Sequence, residues 1–125
     1  MTRHDDQVSI GDMLNHSREA VVLLGGLSRE ELGRNRVVQL ALTRLVEVVG
    51  EAANRVSEST QRQNPGIPWA KIIGMRNRLV HGYDVIDCGL LWDTVTSDLP
   101  PLIEALQRIV AAIEAGTIKG DSRHK

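Results

Sequence analysis

Between Val37 and Val56 the chain carries Val38, Ala41, Leu42, Leu45, Val49, Ala52, Ala53 and Val56 at steps of three and four. Apolar residues at that period share one side only when the backbone is helical, so this stretch predicts a long central helix with a continuous core-facing stripe. Gly50 interrupts it at a cost of about 1 kcal/mol relative to alanine, a cost usually offset where another helix packs closely against the bare backbone. Gly50 is therefore read as a packing residue. No segment of the chain shows sustained two-residue alternation bounded by hairpin turns, so no sheet is predicted.

The remaining segments extend the helical pattern. Ile10, Met13, Leu14, Val21 and Leu24 fall on one side of a helix that Gly25-Gly26 ends. Ser28-Arg29-Glu30-Glu31 has the spacing of a capping box, with Ser28 accepting from the third helical amide and Glu31 reaching back, and so starts a short helix. Residues 59–67 are polar and close on Asn64-Pro65-Gly66, a turn signal. Pro68 suits the first turn of the next helix, whose stripe is Trp69, Ile72, Ile73, Leu79 and Val80, with Gly82 as its terminator. A last helical region runs from about Asp87 to Ala115 through Leu91, Val95, Leu99, Leu102, Leu106, Ile109, Val110 and Ile113, and Pro100-Pro101 must kink or restart it. The expected architecture is all-α, an up-and-down bundle of four main helices plus a short one over residues 1–115, with 116–125 a frayed polar tail.

A chain of 125 residues fits one such domain and leaves no room for a second. Fifteen basic and sixteen acidic residues nearly cancel, which excludes the strongly basic body of a general nucleic-acid binder. The distribution is uneven, with eight basic and three acidic residues over 34–81. That central excess can form a local patch for phosphate, or simply solvated helix faces. The single cysteine, Cys88, excludes an internal disulfide and a thiolate metal site, and fits a reducing cytoplasm. Neither a signal core nor a membrane span is expected, because no apolar run approaches the ~18 residues a span requires.

Chemistry concentrates in Arg76-Asn77-Arg78-Leu79-Val80-His81-Gly82-Tyr83. Arg76 lies four residues after Ile72 and four before Val80, so it projects from the apolar stripe of its own helix, where an unpaired guanidinium is costly. Such an arginine has a carboxylate partner, a phosphate ligand, or a place in a cleft or subunit interface. His81 follows five residues later, a rotation of about 140° on an ideal helix, so the two cannot sit side by side on a regular face. Either the chain turns at Val80-His81-Gly82, or the groups meet across a two-fold axis between identical subunits. Converging on a phosphodiester, they can cleave RNA without metal: the imidazole moves a proton on or off an oxygen, the guanidinium steadies charge on phosphorus, and the 2′-hydroxyl is the nucleophile. The alternative for His81 is a capping or core role. Tyr83, the only tyrosine in a chain without phenylalanine, is either a phenol open to a modifying enzyme or a ring packed by its edge on the core.

The pattern Arg-x4-His-x-Tyr, preceded by Ile67-Pro68-Trp69-Ala70-Lys71-Ile72-Ile73-Gly74-Met75 and by Val49-Gly50-Glu51-Ala52-Ala53-Asn54-Arg55, resembles the HepT-like HEPN family. The similarity extends from about Ile10 through Leu106, including Asp98-Leu99-Pro100-Pro101-Leu102. A bare Arg-x4-His is common by chance, whereas the whole run from Ile67 to Tyr83 is specific. The resemblance implies a HEPN helical bundle that dimerises around one RNA cleft, with Arg76 and His81 as catalytic residues. It further implies the toxin of a type VII-like toxin–antitoxin system, acting on cellular RNA with tRNA one candidate. Its partner is then an MntA-like minimal nucleotidyltransferase antitoxin that transfers AMP to Tyr83. Each AMP would add bulk and negative charge two residues from His81, blocking the cleft and repelling RNA phosphates.

Supporting roles are assigned on the same basis. Asn77 matches the polar residue that often follows the motif arginine, and its amide could hydrogen-bond phosphate or orient Arg76. Glu47 and Glu51 each could hold Arg76 or His81. Glu47 reads more readily as a solvent-facing acid, and Glu51 is favoured because it lies in the Gly-Glu-Ala-Ala stretch that matches the family. His4, His16 and His124 have no ligand spacing, so neither a metal nor another cofactor is expected. The alternative function is a non-catalytic HEPN subunit that binds or regulates a minimal nucleotidyltransferase.

Overall fold

The computed structural model describes the backbone of residues 3–82 and 85–123, and side chains over 5–82 and 85–116. Three long helices form the frame: α1 (Arg3–Leu24), α3 (Arg36–Arg55) and α8 (Leu99–Arg123). Helix α1 packs against both α3 and α8. Their apolar stripes meet in one core, with Ile10 and Met13 from α1, Leu42, Val46 and Val49 from α3, and Leu99 and Leu106 from α8 all fully buried.

Short helices fill the connections. Helix α2 (Arg29–Gly33) starts at Ser28 through the expected capping box, and its Leu32 is buried. Part of the polar stretch 59–67 that closes on the Asn64-Pro65-Gly66 turn is helical: α4 (Glu58–Gln63) forms because the Ser57 hydroxyl accepts from the Thr60 amide and nucleates a turn. The fourth main helix is broken in two: α5 (Trp69–Ile73) and α6 (Met75–Leu79) join at Gly74. A Cβ at Gly50 would stand 3.0 Å from the Ile72 carbonyl oxygen and 3.3 Å from that of Ile73. The bare backbone of α3 is thus the seat for α5, as the sequence suggested.

After α6 the chain does what its pattern did not suggest. Val80–His81 (β1) and Val85–Ile86 (β2) pair antiparallel in a two-residue hairpin, with Gly82 at φ +63°. Strands of two residues are too short to display alternation, and the reversal depends on a glycine that tolerates positive φ. The Asp87 amide donates to the Leu79 carbonyl at 2.8 Å and closes the base of the hairpin. Helix α7 (Cys88–Asp93) follows, capped by Asp87. A π-helical turn over Thr94–Asp98 leads into α8, with the Leu99 amide bonded to the Thr94 carbonyl. This wider turn lies just ahead of Pro100-Pro101, where a regular helix would press the rings against the preceding turn's carbonyls. The prolines therefore restart the helix without a sharp bend being required. Helix α8 passes Ala115, where it was expected to stop, and runs to Arg123.

One polar junction ties the first helix to the fourth. Asp6, 6% exposed, accepts from the Ser57 amide at 2.9 Å, the Ser57 hydroxyl at 2.7 Å and the Thr60 hydroxyl at 2.5 Å. Among the described residues no helix is long and apolar enough to cross a membrane.

Candidate active site

The break at Gly74 sets the position of Arg76. On one continuous helix Arg76 would follow the stripe of Ile72 and Ile73, but in α6 the buried positions are Met75 and Leu79, one turn apart. Arg76 is turned out of the core, and its side chain is 55% exposed. The expectation of a charge on an apolar stripe is corrected: the buried stripe passes through Met75 and Leu79, and the guanidinium lies at the surface beside α3.

There it meets Glu47. The Arg76 Nε forms an ion pair with Glu47 Oε2. The other carboxylate oxygen, Oε1, accepts from Arg44 Nη1 at 2.6 Å. The Glu47 side chain is 21% exposed, against 62% for Arg44. Glu51, favoured on sequence, reaches the same Arg44 Nη1 only at 3.4 Å. The carboxylate on Arg76 is therefore that of Glu47, with Glu51 one step removed. The hydrogen bond that Arg44 donates to Glu47 and then the charge of Glu51 hold its guanidinium more firmly protonated than usual. Arg78, the next cation of α6, turns away and donates to the Lys71 carbonyl at 3.0 Å, closing the end of α5.

His81 sits on β1, carried off the helix by the turn-out at Val80. Its Nε2 lies 3.9 Å from Asp87 Oδ2, a separation for charge attraction rather than a hydrogen bond. Asp87 is itself fixed, because its Oδ1 accepts the Leu90 amide at 2.9 Å at the start of α7. Arg29 of α2 approaches the same corner: a Cβ at Gly89 would stand 2.9 Å from Arg29 Nη2 and 3.6 Å from Asp87 Oδ1. A glycine at position 89 leaves the room that the guanidinium occupies.

The structure thus places the two motif residues on adjoining elements with separate carboxylate anchors, Arg76 on Glu47 and His81 near Asp87. Asn77 is exposed and makes no side-chain hydrogen bond to another described residue. Tyr83 lies outside the described residues. Arg44, Asp87 and Arg29 were missed on sequence. A signal existed for Asp87, since Asp-Cys-Gly-Leu has the spacing of a helix cap, but nothing local to Arg44 or Arg29 announces which element they meet. Among the described residues, no group of three or more His, Cys, Asp or Glu converges as a metal site would.

Chemically, the arrangement offers an exposed guanidinium held through Nε by one carboxylate. It also offers an exposed imidazole beside a fixed acid. Both groups can reach an anionic substrate from solvent without a buried charge having to be uncovered.

Comparison with known proteins gives a consistent picture. The family described as "Ribonuclease HepT-like" matches residues 13–109, which include the whole of the site. A Thermococcus cleftensis protein named "Probable ribonuclease HepT" is 34% identical over 95 residues, 73% of this chain and 86% of that protein. A Methanocaldococcus jannaschii protein named as a candidate RNase is 28% identical over 102 residues, covering 82% of this chain and 94% of its own length. A similarly named protein of Caldanaerobacter subterraneus subsp. tengcongensis is 28% identical over 85 residues, 68% of this chain and 76% of that protein. No solved structure matches.

Proposed function

The chain belongs to the HepT-like ribonuclease family, and on that premise we propose that it is a metal-independent endoribonuclease whose catalytic residues are Arg76 and His81. The observation that carries this reading is the state of Arg76: solvent-exposed, anchored through Nε alone by Glu47, and followed by a hairpin that presents an exposed His81 beside Asp87.

The reaction follows from those groups. An imidazole accepts the proton of the RNA 2′-hydroxyl, whose oxygen attacks the adjacent phosphorus. The new P–O2′ bond forms as the P–O5′ bond breaks, and the Arg76 guanidinium neutralises the charge that builds on the phosphoryl oxygens. The departing O5′ takes a proton from the second imidazole of a dimer. Products are a 2′,3′-cyclic phosphate and a 5′-hydroxyl.

Dimerisation completes the cleft in this reading. Support comes from α3, where Val37 is 76% exposed and Leu40 45% exposed on the row that continues into Arg44, Glu47 and Glu51. An apolar patch leading into a charged row suits a self-complementary two-fold contact. The protein then acts as the toxin of a toxin–antitoxin pair on cellular RNA, tRNA among the candidates, and a nucleotidyltransferase partner silences it by transferring AMP to Tyr83. Asn77, exposed next to Arg76, is placed to contact phosphate.

Total cellular RNA incubated with the purified protein in excess EDTA tests the reading. Cleavage is expected for wild type and at least about 100-fold less for His81→Ala, the size typical of a lost proton-transfer group. RNA left intact by the wild type, or cleaved only when divalent metal is restored, would overturn it. For the switch, intact mass after exposure to the partner and ATP should rise in AMP steps for wild type and stay fixed for Tyr83→Phe; AMP on Tyr83→Phe rules out Tyr83 as the acceptor.

A further inference from the structure

Glu47 does not serve Arg76 alone. Its two carboxylate oxygens are divided between two arginines, Oε2 on Arg76 Nε and Oε1 on Arg44 Nη1. Resting on the ribonuclease reading, we propose that Arg44 is a second phosphate-contacting residue of the RNA cleft and that Glu47 is the positioning residue that sets Arg44 and Arg76 side by side.

The argument is one of which donors are left. Arg76 is anchored through Nε, so both Nη groups, the fork that matches a phosphate, have no partner among the described residues. Arg44 uses one nitrogen, Nη1, for both Glu47 and Glu51, which leaves its Nε and Nη2 open. Both side chains are more than half exposed, at 62% and 55%. Without a shared anion two guanidinium groups so close would repel each other, and one carboxylate between two cations holds them together with a net positive charge remaining. Glu51 tempers that charge weakly, being half exposed and 3.4 Å away. An incoming phosphate can displace it from Arg44 without breaking the shorter contact to Glu47. Arg76 would then take the phosphate being cleaved and Arg44 a neighbouring one, so that Arg44 sets the register of the strand.

Counterion release distinguishes a phosphate contact from a structural ion pair. In a His81→Ala background that leaves RNA uncut, binding of the full-length protein to a labelled mixed-sequence single-stranded RNA is followed by anisotropy across a KCl series. Arg44→Ala should weaken binding about tenfold at low salt and reduce the slope of log affinity against log salt by about 0.7, the share of one phosphate on a single strand. Arg44→Lys should keep the slope, because the charge remains. Glu51→Gln should keep the slope and tighten binding a few-fold. Glu47→Gln should slow cleavage about tenfold with His81 intact and leave the slope at the parent value in the His81→Ala background, since positioning is lost and both cations remain. An Arg44→Ala variant with the parent's slope and an affinity within about twofold of it overturns the proposal. If that happens while wild type still cleaves RNA, only the role of Arg44 falls. If the parent binds no RNA and wild type cuts none, the ribonuclease reading falls with it.

Discussion

Asp6 and Glu47 are both carboxylates that gather donors from a second helix, and they differ in what those donors are. Asp6 is buried and satisfied by neutral groups, the Ser57 amide and the Ser57 and Thr60 hydroxyls. Glu47 is partly open and satisfied by two exposed guanidinium groups. A neutral hydroxyl that loses a buried partner gains nothing in return, so the Asp6 junction behaves as a lock. A surface arginine held through one nitrogen keeps its other donors for an incoming anion, so the Glu47 junction can take a ligand without coming apart. Similar chemistry thus secures α1 to α4 in one region and leaves two exposed guanidinium groups side by side in the other.

The comparison makes ordered predictions. Asp6→Ala strands the Ser57 and Thr60 donors and should lower stability by about 2–4 kcal/mol in denaturant titrations, with RNA cleavage unchanged at temperatures where the variant stays folded. Gly50→Ala drives a Cβ against the Ile72 and Ile73 carbonyls, which are backbone and cannot swing aside. A cost of about 1–3 kcal/mol is expected in the same titration, and cleavage should fall as well if α5 carries α6 with it. Glu47→Ala should show the opposite balance, with stability within about 1 kcal/mol of wild type, as for exposed ion pairs, and cleavage reduced. A large stability loss there would erase the contrast with Asp6.

The smallest effect is in pH. Burial acts to raise the Asp6 carboxyl, but hydrogen bonds from Thr60 and Ser57 together outweigh it and leave it below its ordinary value of 3.8. A carboxylate depressed on folding contributes stability that is fully present above its unfolded value and is lost as pH falls through the folded one. Wild type should therefore lose stability below about pH 4 more steeply than Asp6→Asn, which has no proton to take up there. Parallel profiles for the two would show that Asp6 is not the group responsible.

Legibility in the sequence follows the range of the interactions. The α3 stripe, the Ser28–Glu31 capping box and the packing role of Gly50 could be read because periodicity, caps and bare backbone leave signals within a few residues. Helix α4, the two-residue hairpin and the π turn could not, being too short to establish a period. The site was half legible. The motif pointed to Arg76 and His81, but the environment of Arg76 was misread by placing it, and not Met75, on the buried stripe. Glu47 could not be preferred over Glu51, because the choice depends on how α6 lies on α3, a tertiary fact with no local trace. The capping role of Asp87 left a local signal, but its approach to His81 and that of Arg29 to Gly89 are tertiary and left none.

The central claim is that Arg76 is present for chemistry and not for the fold. The most direct measurement is single-turnover cleavage of one defined RNA by wild type and Arg76→Ala, with thermal unfolding recorded on the same samples. Arg76 is exposed and bound by a surface ion pair, so the account predicts a rate loss of about 100-fold or more with a melting temperature within about 3 °C of wild type. Equal cleavage by the two proteins, or a loss that merely follows the unfolded fraction, would contradict it.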